Sequence, residues 1–479
     1  MQKITVVLLF LLLPQLISGQ GKALELLLAD SSMVSSSASV CILDMGKGEA
    51  VFEYNAGKSL IPASVMKLIT TSAAFELLGP EYRFSTGIGY TGYLNNRTGR
   101  LDGNIIIKGG GDPALGSEYF SDHYQDFLKD WITEIRKLGI KKIEGKIITD
   151  DSRYDYQPLP AKWLWEDAGN YYGAGAYGLS VFNNTFEIHF RTSGEGSQPV
   201  ITSINPEICR YDLSNQLIAS GNSNNGYVFA VPYNDYGWLA GSIPANMEDF
   251  VLKAAINDPP LLLAKIIDSM LDSSGIVVSG DPSTARLEKK FTDNEMTMIS
   301  EVNSPPLKDI IEILNHESVN LFAEHILKEL GKVYRNNGST KAGIEVLYKF
   351  LEDSGLDTSG FFIEDGSGMS PMNAVTAGGL AKILFFMKTG AEYYDDFYRS
   401  LPDAGKEGTL KSFFKEPVFE SNLKAKSGSM TRVRSYAGYF KTMSGNEMAF
   451  GILINNFSGP SLKIVTGIEE ILKEAILNK

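Results

Sequence analysis

The sequence predicts a mixed α/β (α+β) chain in which helices cover an antiparallel sheet and a large β-rich insertion separates the parts of that sheet. Residues 39–60 have the pattern of a hairpin that leads into a helix over 61–79. Near the other end, two apolar runs between 435 and 457 have the pattern of adjacent strands before a last helix. Short strand-like runs predominate in the middle of the chain, where we expect the insertion.

Size and charge limit the possible functions. The 479 residues correspond to about three units of ordinary domain size, and 43% of them are hydrophobic, which suffices for packed cores. With 44 basic and 57 acidic residues, the formal net charge is -13, and no basic run could follow a phosphate backbone. Nucleic acid is therefore not an expected partner.

The first residues predict an exported protein. Lys3 precedes an apolar run over residues 4–13, and the small residues Ser18 and Gly19 follow it. This order is typical of a secretory signal peptide, which we place at residues 1–19. No later run of eighteen or more apolar residues occurs, so we expect no integral membrane span. The expected location is the periplasm or the cell envelope.

The helix predicted over 61–79 carries the first candidate catalytic pair. Pro62 suits a first helical turn, and Gly79 with the proline after it ends the helix. Residues three apart share a helix face, so the Ser64 hydroxyl and the Lys67 amine can meet there. Ser-x-x-Lys alone is also compatible with an ordinary helix start and an exposed lysine. Its meaning depends on the motifs that follow.

Short antiparallel strands are predicted over 84–108. Gly87, Gly89 and Gly92 fit G-x-G-x-x-G, but a strand pattern continues where a phosphate-binding helix should begin. The glycine run at 109–111 lacks the lysine of a P-loop and predicts a tight loop instead. The glycines therefore do not indicate a nucleotide site.

An aromatic-rich stretch over 159–184 belongs to the predicted insertion. Trp163, Trp165, Tyr171 and Tyr172 could line a carbohydrate groove. Aromatic residues that pack one domain against another are the favoured interpretation.

Two further polar motifs follow the insertion. Ser318 and Asn320 stand in a loop before a helix that we expect to end at Gly331. N-capping would also explain these two residue types. The last motif lies at the end of a predicted strand and consists of Lys426, Ser427, Gly428 and Ser429.

The cysteines and histidines show no metal motif. Cys41 and Cys209 could pair in an oxidising compartment, but two buried thiols are the favoured interpretation. The four histidines are scattered and no H-E-x-x-H occurs, so we expect neither a metal site nor a cofactor.

The last predicted helix, 461–479, has one apolar face. Its charges balance, whereas a membrane-surface helix should be basic on its polar side, so packing against the sheet is favoured. The apolar face contains Leu462, Val465, Ile468, Leu472 and Ile476.

The motifs Ser-x-x-Lys, Ser-x-Asn and Lys-Ser-Gly, in this order, resemble the signature of penicillin-binding proteins and serine β-lactamases. Ser64 and Ser318 are 254 positions apart (318 − 64), which leaves room for an insertion that compact β-lactamases lack. With GGGDPAL at 109–115 and DGSG at 365–368, the chain closely resembles the class C low-molecular-mass penicillin-binding proteins, the D-alanyl-D-alanine carboxypeptidase/endopeptidase family. The resemblance covers roughly residues 22–479.

The resemblance implies a serine β-lactamase/transpeptidase-like catalytic domain. We expect this domain to comprise residues 20–85 and 288–479. Residues 86–287 would form the inserted region, as two small β-rich subdomains.

The implied chemistry is an acyl-enzyme at Ser64, formed with peptidoglycan stem peptides or with β-lactams. No histidine lies in the three motifs, so Lys67 is the candidate base. A free lysine has a pKa near ~10.4, and a neutral amine at pH 7 needs a shift of about three units. Burial and the charge of Lys426 are both expected to lower the pKa of Lys67. Ser318 would relay the proton to the leaving amine.

The remaining motif residues are expected to bind substrate. Asn320 would hold the substrate amide, while Lys426 attracts the terminal carboxylate and Ser427 donates a hydrogen bond to it. By resemblance, the backbone N–H groups of Ser64 and Ser429 would form the oxyanion hole. Where the family often has a basic residue after DGSG, this chain has the sequence Met-Ser-Pro at 369–371, which puts any contact of that basic residue in doubt.

Two other functions fit the same motifs. A β-lactamase would hydrolyse its penicillin adduct rapidly, and the long insertion argues against it. A catalytically silent penicillin sensor or cell-wall binding protein would use occupancy itself as the signal. The motifs are compatible with both carboxypeptidase and endopeptidase action.

Overall fold

The structure, a computed structural model, describes residues 21–206, 211–288, 291 and 295–477. The predicted signal peptide and Cys209 lie outside these residues. The α-helices of the described residues are, in chain order, α1 (Lys22–Leu28), α2 (Lys67–Leu78), α3 (Ser121–Tyr124), α4 (Phe127–Lys137), α5 (Pro259–Ser273), α6 (Leu307–Glu317), α7 (Asn320–Arg335), α8 (Thr340–Asp353), α9 (Ala377–Thr389), α10 (Tyr394–Arg399) and α11 (Ser461–Leu477).

The strands of the described residues form six sheets. In chain order they are β1 (Ser37–Asp44), β2 (Glu49–Tyr54), β3 (Ser59–Leu60), β4 (Ser85–Tyr90), β5 (Tyr93–Asn95), β6 (Arg100–Asp102), β7 (Ile105–Lys108), β8 (Lys142–Ile143), β9 (Ile147–Asp150), β10 (Thr185–Arg191), β11 (Val200–Asn205), β12 (Asp212–Asn215), β13 (Ile218–Ala219), β14 (Asn225–Phe229), β15 (Tyr236–Ile243), β16 (Phe250–Ala255), β17 (Val277–Val278), β18 (Ser283–Thr284), β19 (Thr297–Asn303), β20 (Val375–Thr376), β21 (Lys424–Met430), β22 (Val433–Lys441) and β23 (Glu447–Asn455).

The sheet that carries the last motif joins the two ends of the chain. Its order is β2-β1-β23-β22-β21, and every neighbouring pair is antiparallel. Val40 and Ile42 of β1 belong to a core shared with α1 and α11, whereas Cys41 and Leu43 belong to a core shared with α2 and α9. Because helices cover both faces, β1 and β23 are apolar at successive positions and not only at alternate ones. The predicted antiparallel sheet under helices is confirmed.

The last helix packs on this sheet with nearly the predicted face. Val465, Ile468, Leu472 and Ile476 are buried as expected, and Ile464 and Ile471 are buried with them. Leu462 was predicted to face the core, yet it is 63% exposed. Within the described ranges, no helix has both the length and the apolar character needed to cross a membrane.

The chain between α2 and α6 forms four further sheets. Two of them, β18-β9-β7-β4-β19 and β17-β8-β6-β5, share a hydrophobic core with helices α2 and α7. The other two, β11-β10-β16 and β12-β15-β13 with β14 on β15, enclose a separate core. Gly87 and Gly89 lie within β4, where the sequence predicted a strand in place of a phosphate loop. The division into two subdomains and its boundaries stay predictions.

Helix α7 is longer than the sequence predicted. We expected it to end at Gly331, but it continues to Arg335 and ends before Asn336, which has a left-handed φ of 51°. Gly331 serves close packing instead, since a Cβ there would lie 2.7 Å from the Asn337 carbonyl oxygen and 2.8 Å from the Gly343 nitrogen. A glycine that permits helix contact cannot be told from a terminating glycine in sequence.

Gly331→Ala is therefore expected to destabilise the fold. Alanine in a helix interior usually stabilises by about 0.5–1 kcal/mol over glycine, but here its methyl group meets backbone atoms that cannot rotate away. We expect the free energy of unfolding to fall by about 1–3 kcal/mol, measured by urea denaturation. Val333→Ala, at a 47% exposed site of the same helix, serves as the control and should change stability little. A more stable Gly331→Ala variant would contradict this account of α7.

Candidate active site

The three sequence motifs line one pocket. Its wall contains Ser64, Tyr171, Tyr172, Ser318, Asn320, Thr409, Ser427 and Ser429. Lys67 and Lys426 are fully buried behind this wall and contact the Ser64 and Ser318 hydroxyls respectively. The structure thus brings together all seven residues that the sequence singled out.

Ser64 lies in a strained turn, and the backbones of Gly368 and Gly428 pack closely against this turn. It lies in a short 3-10 turn over 63–66, just before α2, and Ala63 has an unusual φ of 48°. Such a φ costs a non-glycine residue about 1–2 kcal/mol. Gly368 lies against the Ala63 carbonyl, where an added Cβ would be 1.9 Å away, and a Cβ at Gly428 would be 3.0 Å from the Ser64 nitrogen. Strand β21 therefore runs directly beside the Ser64 backbone.

The Lys67 amine has three polar contacts. Its Nζ lies 3.0 Å from Ser64 Oγ, 2.6 Å from Asn320 Oδ1 and 2.7 Å from the Ser367 carbonyl oxygen. The two carbonyl oxygens can only accept hydrogen bonds. A neutral amine has two N–H groups, which these oxygens take, and one lone pair, which is left for the Ser64 hydroxyl proton. The geometry therefore presents Lys67 to Ser64 as a base.

Burial makes this neutral form accessible near pH 7. Burial lowers the pKa of Lys67 to about 7, against the opposing attraction of the Asp365 and Glu324 carboxylates. The predicted effect of burial is confirmed. The sequence interpretation gave Lys426 a share in this shift, but the repulsion between the two lysines acts in the structure on the pKa of Lys426.

The Asn320 amide is fixed on both sides. Its Oδ1 accepts from Lys67, while its Nδ2 donates to the Tyr172 carbonyl at 2.9 Å and to Met369 Sδ at 3.3 Å. Asn320 begins α7 and its side chain makes no capping hydrogen bond. The alternative explanation, that Asn320 is present as an N-cap, therefore does not apply. Its expected contact with substrate stays a prediction.

Ser318 and Lys426 form the second hydroxyl–amine pair. Ser318 ends α6 in a left-handed conformation with φ 59°, and Lys426 Nζ donates to its Oγ at 2.9 Å. A further hydrogen bond from Lys426 Nζ reaches the Ser427 carbonyl at 2.9 Å. Burial, and then the charge of Lys67, lowers the pKa of Lys426. A carboxylate that entered the pocket would raise it again, because an opposite charge favours the ammonium form.

The far wall of the pocket consists of hydroxyls. Ser427 donates to Thr409 Oγ1 at 2.7 Å, and both residues are partly accessible. Ser429 is exposed on β21, opposite Arg434 of β22. Thr409 was not anticipated from the sequence, since it belongs to no motif and reaches the pocket through a separate turn over 408–410.

Comparison with known proteins identifies the family. The sequence profile of the D-Ala-D-Ala carboxypeptidase 3 (S13) family matches residues 20–472, nearly the whole chain. The chain belongs to this family of serine peptidases. Its activity is accordingly that of a D-Ala-D-Ala carboxypeptidase, as the motifs predicted.

Relatives match along most of their length. The chain is 27% identical over 451 residues to a D-alanyl-D-alanine carboxypeptidase of an Actinomadura species, with 91% of this chain and 81% of that protein aligned. A carboxypeptidase of Mycolicibacterium smegmatis is 31% identical over 432 residues, with 88% and 76% aligned. Penicillin binding protein 4 of Haemophilus influenzae, at 24% identity, superposes with a TM-score of 0.80 over 92% of this chain and 97% of its own. The predicted fold class is confirmed.

The carboxypeptidase site also depends on a residue that no sequence motif marks. Glu324, one turn after Asn320 on α7, is fully buried. It accepts hydrogen bonds from the backbone N–H groups of Gly366 at 3.1 Å and Ser367 at 2.8 Å. The carbonyl of Ser367 in turn accepts from Lys67. Glu324 therefore anchors the loop whose carbonyl contacts Lys67. Its position four residues after Asn320, on the same face of the predicted helix, was the signal that could have revealed it.

Glu324→Ala should weaken both this loop and the acylation reaction. Both loop N–H groups donate to Glu324 Oε1, and alanine offers them no acceptor. We expect the free energy of unfolding to fall by about 1–3 kcal/mol and the rate of acylation by penicillin to fall about tenfold or more. The exposed Glu345→Ala on α8 is the matched control. Equal stability and equal acylation rates in the two variants would contradict the anchoring role.

Proposed function

We propose that this carboxypeptidase cleaves the terminal D-alanyl-D-alanine bond of peptidoglycan stem peptides through an acyl-enzyme at Ser64. One observation carries the proposal: the buried Lys67 amine has its N–H groups directed to two obligate acceptors and its third contact on Ser64 Oγ. A serine with a neutral amine at hydrogen-bond distance is the arrangement that nucleophilic catalysis requires in the absence of histidine.

In the first step, Lys67 takes the hydroxyl proton of Ser64 as the oxygen attacks the carbonyl carbon between the two D-alanines. The resulting oxyanion would accept from the backbone N–H groups of Ser64 and Ser429. Each such donor contributes about 3–4 kcal/mol in other enzymes. The closeness of β21 to the Ser64 backbone, which Gly428 permits, supports this assignment.

Collapse of the tetrahedral intermediate breaks the peptide bond. The leaving nitrogen needs a proton, and the proton that Lys67 took from Ser64 would reach it through the hydroxyl of Ser318, which lines the same pocket and accepts from Lys426. D-Alanine then departs with that proton, and Lys67 is neutral again. A water molecule attacks the ester carbonyl, and Lys67 takes one proton of that water. The bond to Ser64 Oγ then breaks, Lys67 returns the proton to Ser64, and the shortened peptide leaves with a new carboxyl group.

The proposed binding groups surround the expected position of the terminal carboxylate. Lys426 and Ser427 would hold it, and Thr409 lies close enough to Ser427 to share that task. Asn320 would hold the substrate amide while its Oδ1 supports Lys67. The bound carboxylate would favour the ammonium form of Lys426.

β-Lactams would react at the same serine. Their strained amide also presents a carbonyl carbon to the nucleophile, but the leaving nitrogen stays tethered within the adduct. The Haemophilus influenzae penicillin binding protein 4 has been solved with a β-lactam bound. Residues 20–85 and 288–479 would form the catalytic unit, in the periplasm or cell envelope where peptidoglycan lies.

The test uses two substrates and one label. The exported protein is incubated with a pentapeptide that ends in D-alanyl-D-alanine and with purified cross-linked peptidoglycan, and mass spectrometry follows D-alanine release and dimer loss. A fluorescent penicillin reports the acyl-enzyme. D-Alanine release with covalent labelling is expected. Labelling without release would favour the silent sensor, and rapid loss of the label would favour the β-lactamase.

A further inference from the structure

A continuous series of aromatic side chains leads from the active-site pocket onto the insertion. Tyr171 and Tyr172 line the pocket, and their rings meet edge to face at 5.3 Å. The backbone N–H of Val228 donates to Asn170 Oδ1 at 3.1 Å, so Tyr227, the neighbour of Val228, lies close to the segment that carries Tyr171 and Tyr172. We call the series the aromatic row; its members are Tyr171, Tyr172, Tyr227, Phe229, Trp238 and Trp165.

The outer part of the row lies on one face of a small sheet. Phe229 of β14 is paired with Trp238 of β15, and their rings stack at 5.2 Å with 9° between the planes. Tyr227 lies 6.3 Å from Phe229, and Trp165 lies 5.6 Å from Trp238, between ring centroids. The centroid distances between neighbouring rings of the row are comparable to the size of one sugar ring.

The opposite face of the same sheet already forms the core. Val228 and Leu239, the neighbours of Phe229 and Trp238 along their strands, are 1% and 0% exposed. Side chains alternate between faces, so the aromatic face points away from this core. Outward faces of antiparallel sheets are usually polar. Aromatic side chains at these positions therefore call for a ligand or a partner.

Packing within the chain leaves much of the row exposed. Trp165 and Tyr171 stay 54% and 56% exposed, and Tyr227 stays 39% exposed. Trp163 is used for packing, because its Nε1 donates to Asp365 at 2.8 Å. This hydrogen bond joins the insertion to the loop at 365–368, whose Ser367 carbonyl contacts Lys67. The packing favoured from the sequence thus describes Trp163, whereas Trp165 and Tyr171 keep more than half of their surface exposed.

We infer that the aromatic row binds the sugar chain to which the stem peptide of the substrate is attached. Aromatic faces bind the apolar C–H faces of sugar rings, and polar groups beside them bind the hydroxyl and acetamido groups. Glu166 and Asp167, next to Trp165 in the chain, supply such groups. The row is continuous with the pocket through Tyr172, so one substrate molecule could occupy both.

This site rests on the proposed function but is tested separately from it. The rate constant kcat/KM for D-alanine release is measured on a free pentapeptide and on the same peptide attached to its sugar chain. Trp165→Ala should lower kcat/KM about tenfold for the sugar-linked substrate and leave the free peptide unchanged. Tyr93→Ala, at a 67% exposed aromatic of another sheet, should change neither value. An equal effect of Trp165→Ala on both substrates would overturn the inference.

A second measurement does not need catalysis. Oligomers of N-acetylglucosamine are titrated against the intact protein after acylation with penicillin, and tryptophan fluorescence is followed. Saturable quenching that Trp165→Ala removes and Tyr93→Ala retains is expected. Absence of binding, or binding that survives Trp165→Ala, would overturn the sugar site even if D-alanine release is normal. A wild-type dimer that Trp165→Ala dissociates in sedimentation would also overturn it and assign the row to an interface.

Discussion

Ser64→Ala is expected to abolish covalent labelling by a fluorescent penicillin and to lower D-alanine release by about 10⁴-fold or more. The variant retains the oxyanion donors and the binding groups, but it has no oxygen with which to form the ester. The label is measured after denaturing electrophoresis, so only a covalent adduct is counted. D-Alanine release is measured on the pentapeptide.

The matched control for this variant lies on the same helix. Ser72 of α2 is fully buried, and its hydroxyl has no hydrogen-bond partner among the described residues. Ser72→Ala removes that hydroxyl without touching the pocket, so labelling and activity should stay at wild-type levels. A Ser64→Ala protein that still acquires the label would show that another residue is the nucleophile.

Lys67→Met is expected to slow acylation by about 10³-fold, within the range that a general base contributes. Methionine retains most of the volume of the side chain but offers no lone pair that can accept the Ser64 proton. The second-order rate constant for penicillin acylation is the measurement. Lys58→Met, at an exposed lysine, should retain the wild-type rate.

The same residue predicts the pH dependence of the wild-type enzyme. The proposed base is the neutral amine, and burial brings the pKa of Lys67 to about 7. Below that pH the neutral fraction falls with the proton concentration, so the acylation rate should drop about tenfold per pH unit and level off above pH 7. Lys67→Met should lack this acidic limb. A wild-type rate that stays constant from about pH 5 to pH 8 would contradict the assignment of the base.

The local motifs allowed most of the pocket to be predicted. Ser64 and Lys67 are three residues apart, and helical geometry places both on one face in any chain context. Ser318 and Asn320 flank a helix start, where backbone geometry restricts the direction of their side chains. Local geometry does not determine how distant segments pack, so the expectation that the two pairs meet came from the resemblance to a known family.

Other features of the pocket depend on contacts between distant parts of the chain. The Ser367 carbonyl that accepts from Lys67 is 300 positions away, and the Tyr172 carbonyl that orients Asn320 is 148 positions away. Every residue has a backbone carbonyl, so no residue type marks the ones that serve a site. The same limit applies to Gly331, whose role depends on which atoms lie opposite its missing Cβ.

The amino-acid pattern therefore specified which side chains meet in the pocket and the kind of sheet and helices that carry them. The tertiary structure determined the protonation state of the Lys67 amine, because its pKa depends on its exclusion from water and on the distances to Asp365 and Glu324. It also separated Trp163, which is used for packing, from Trp165, which stays exposed. Burial is a property of the whole assembly of elements, and neighbours in sequence can have opposite exposure.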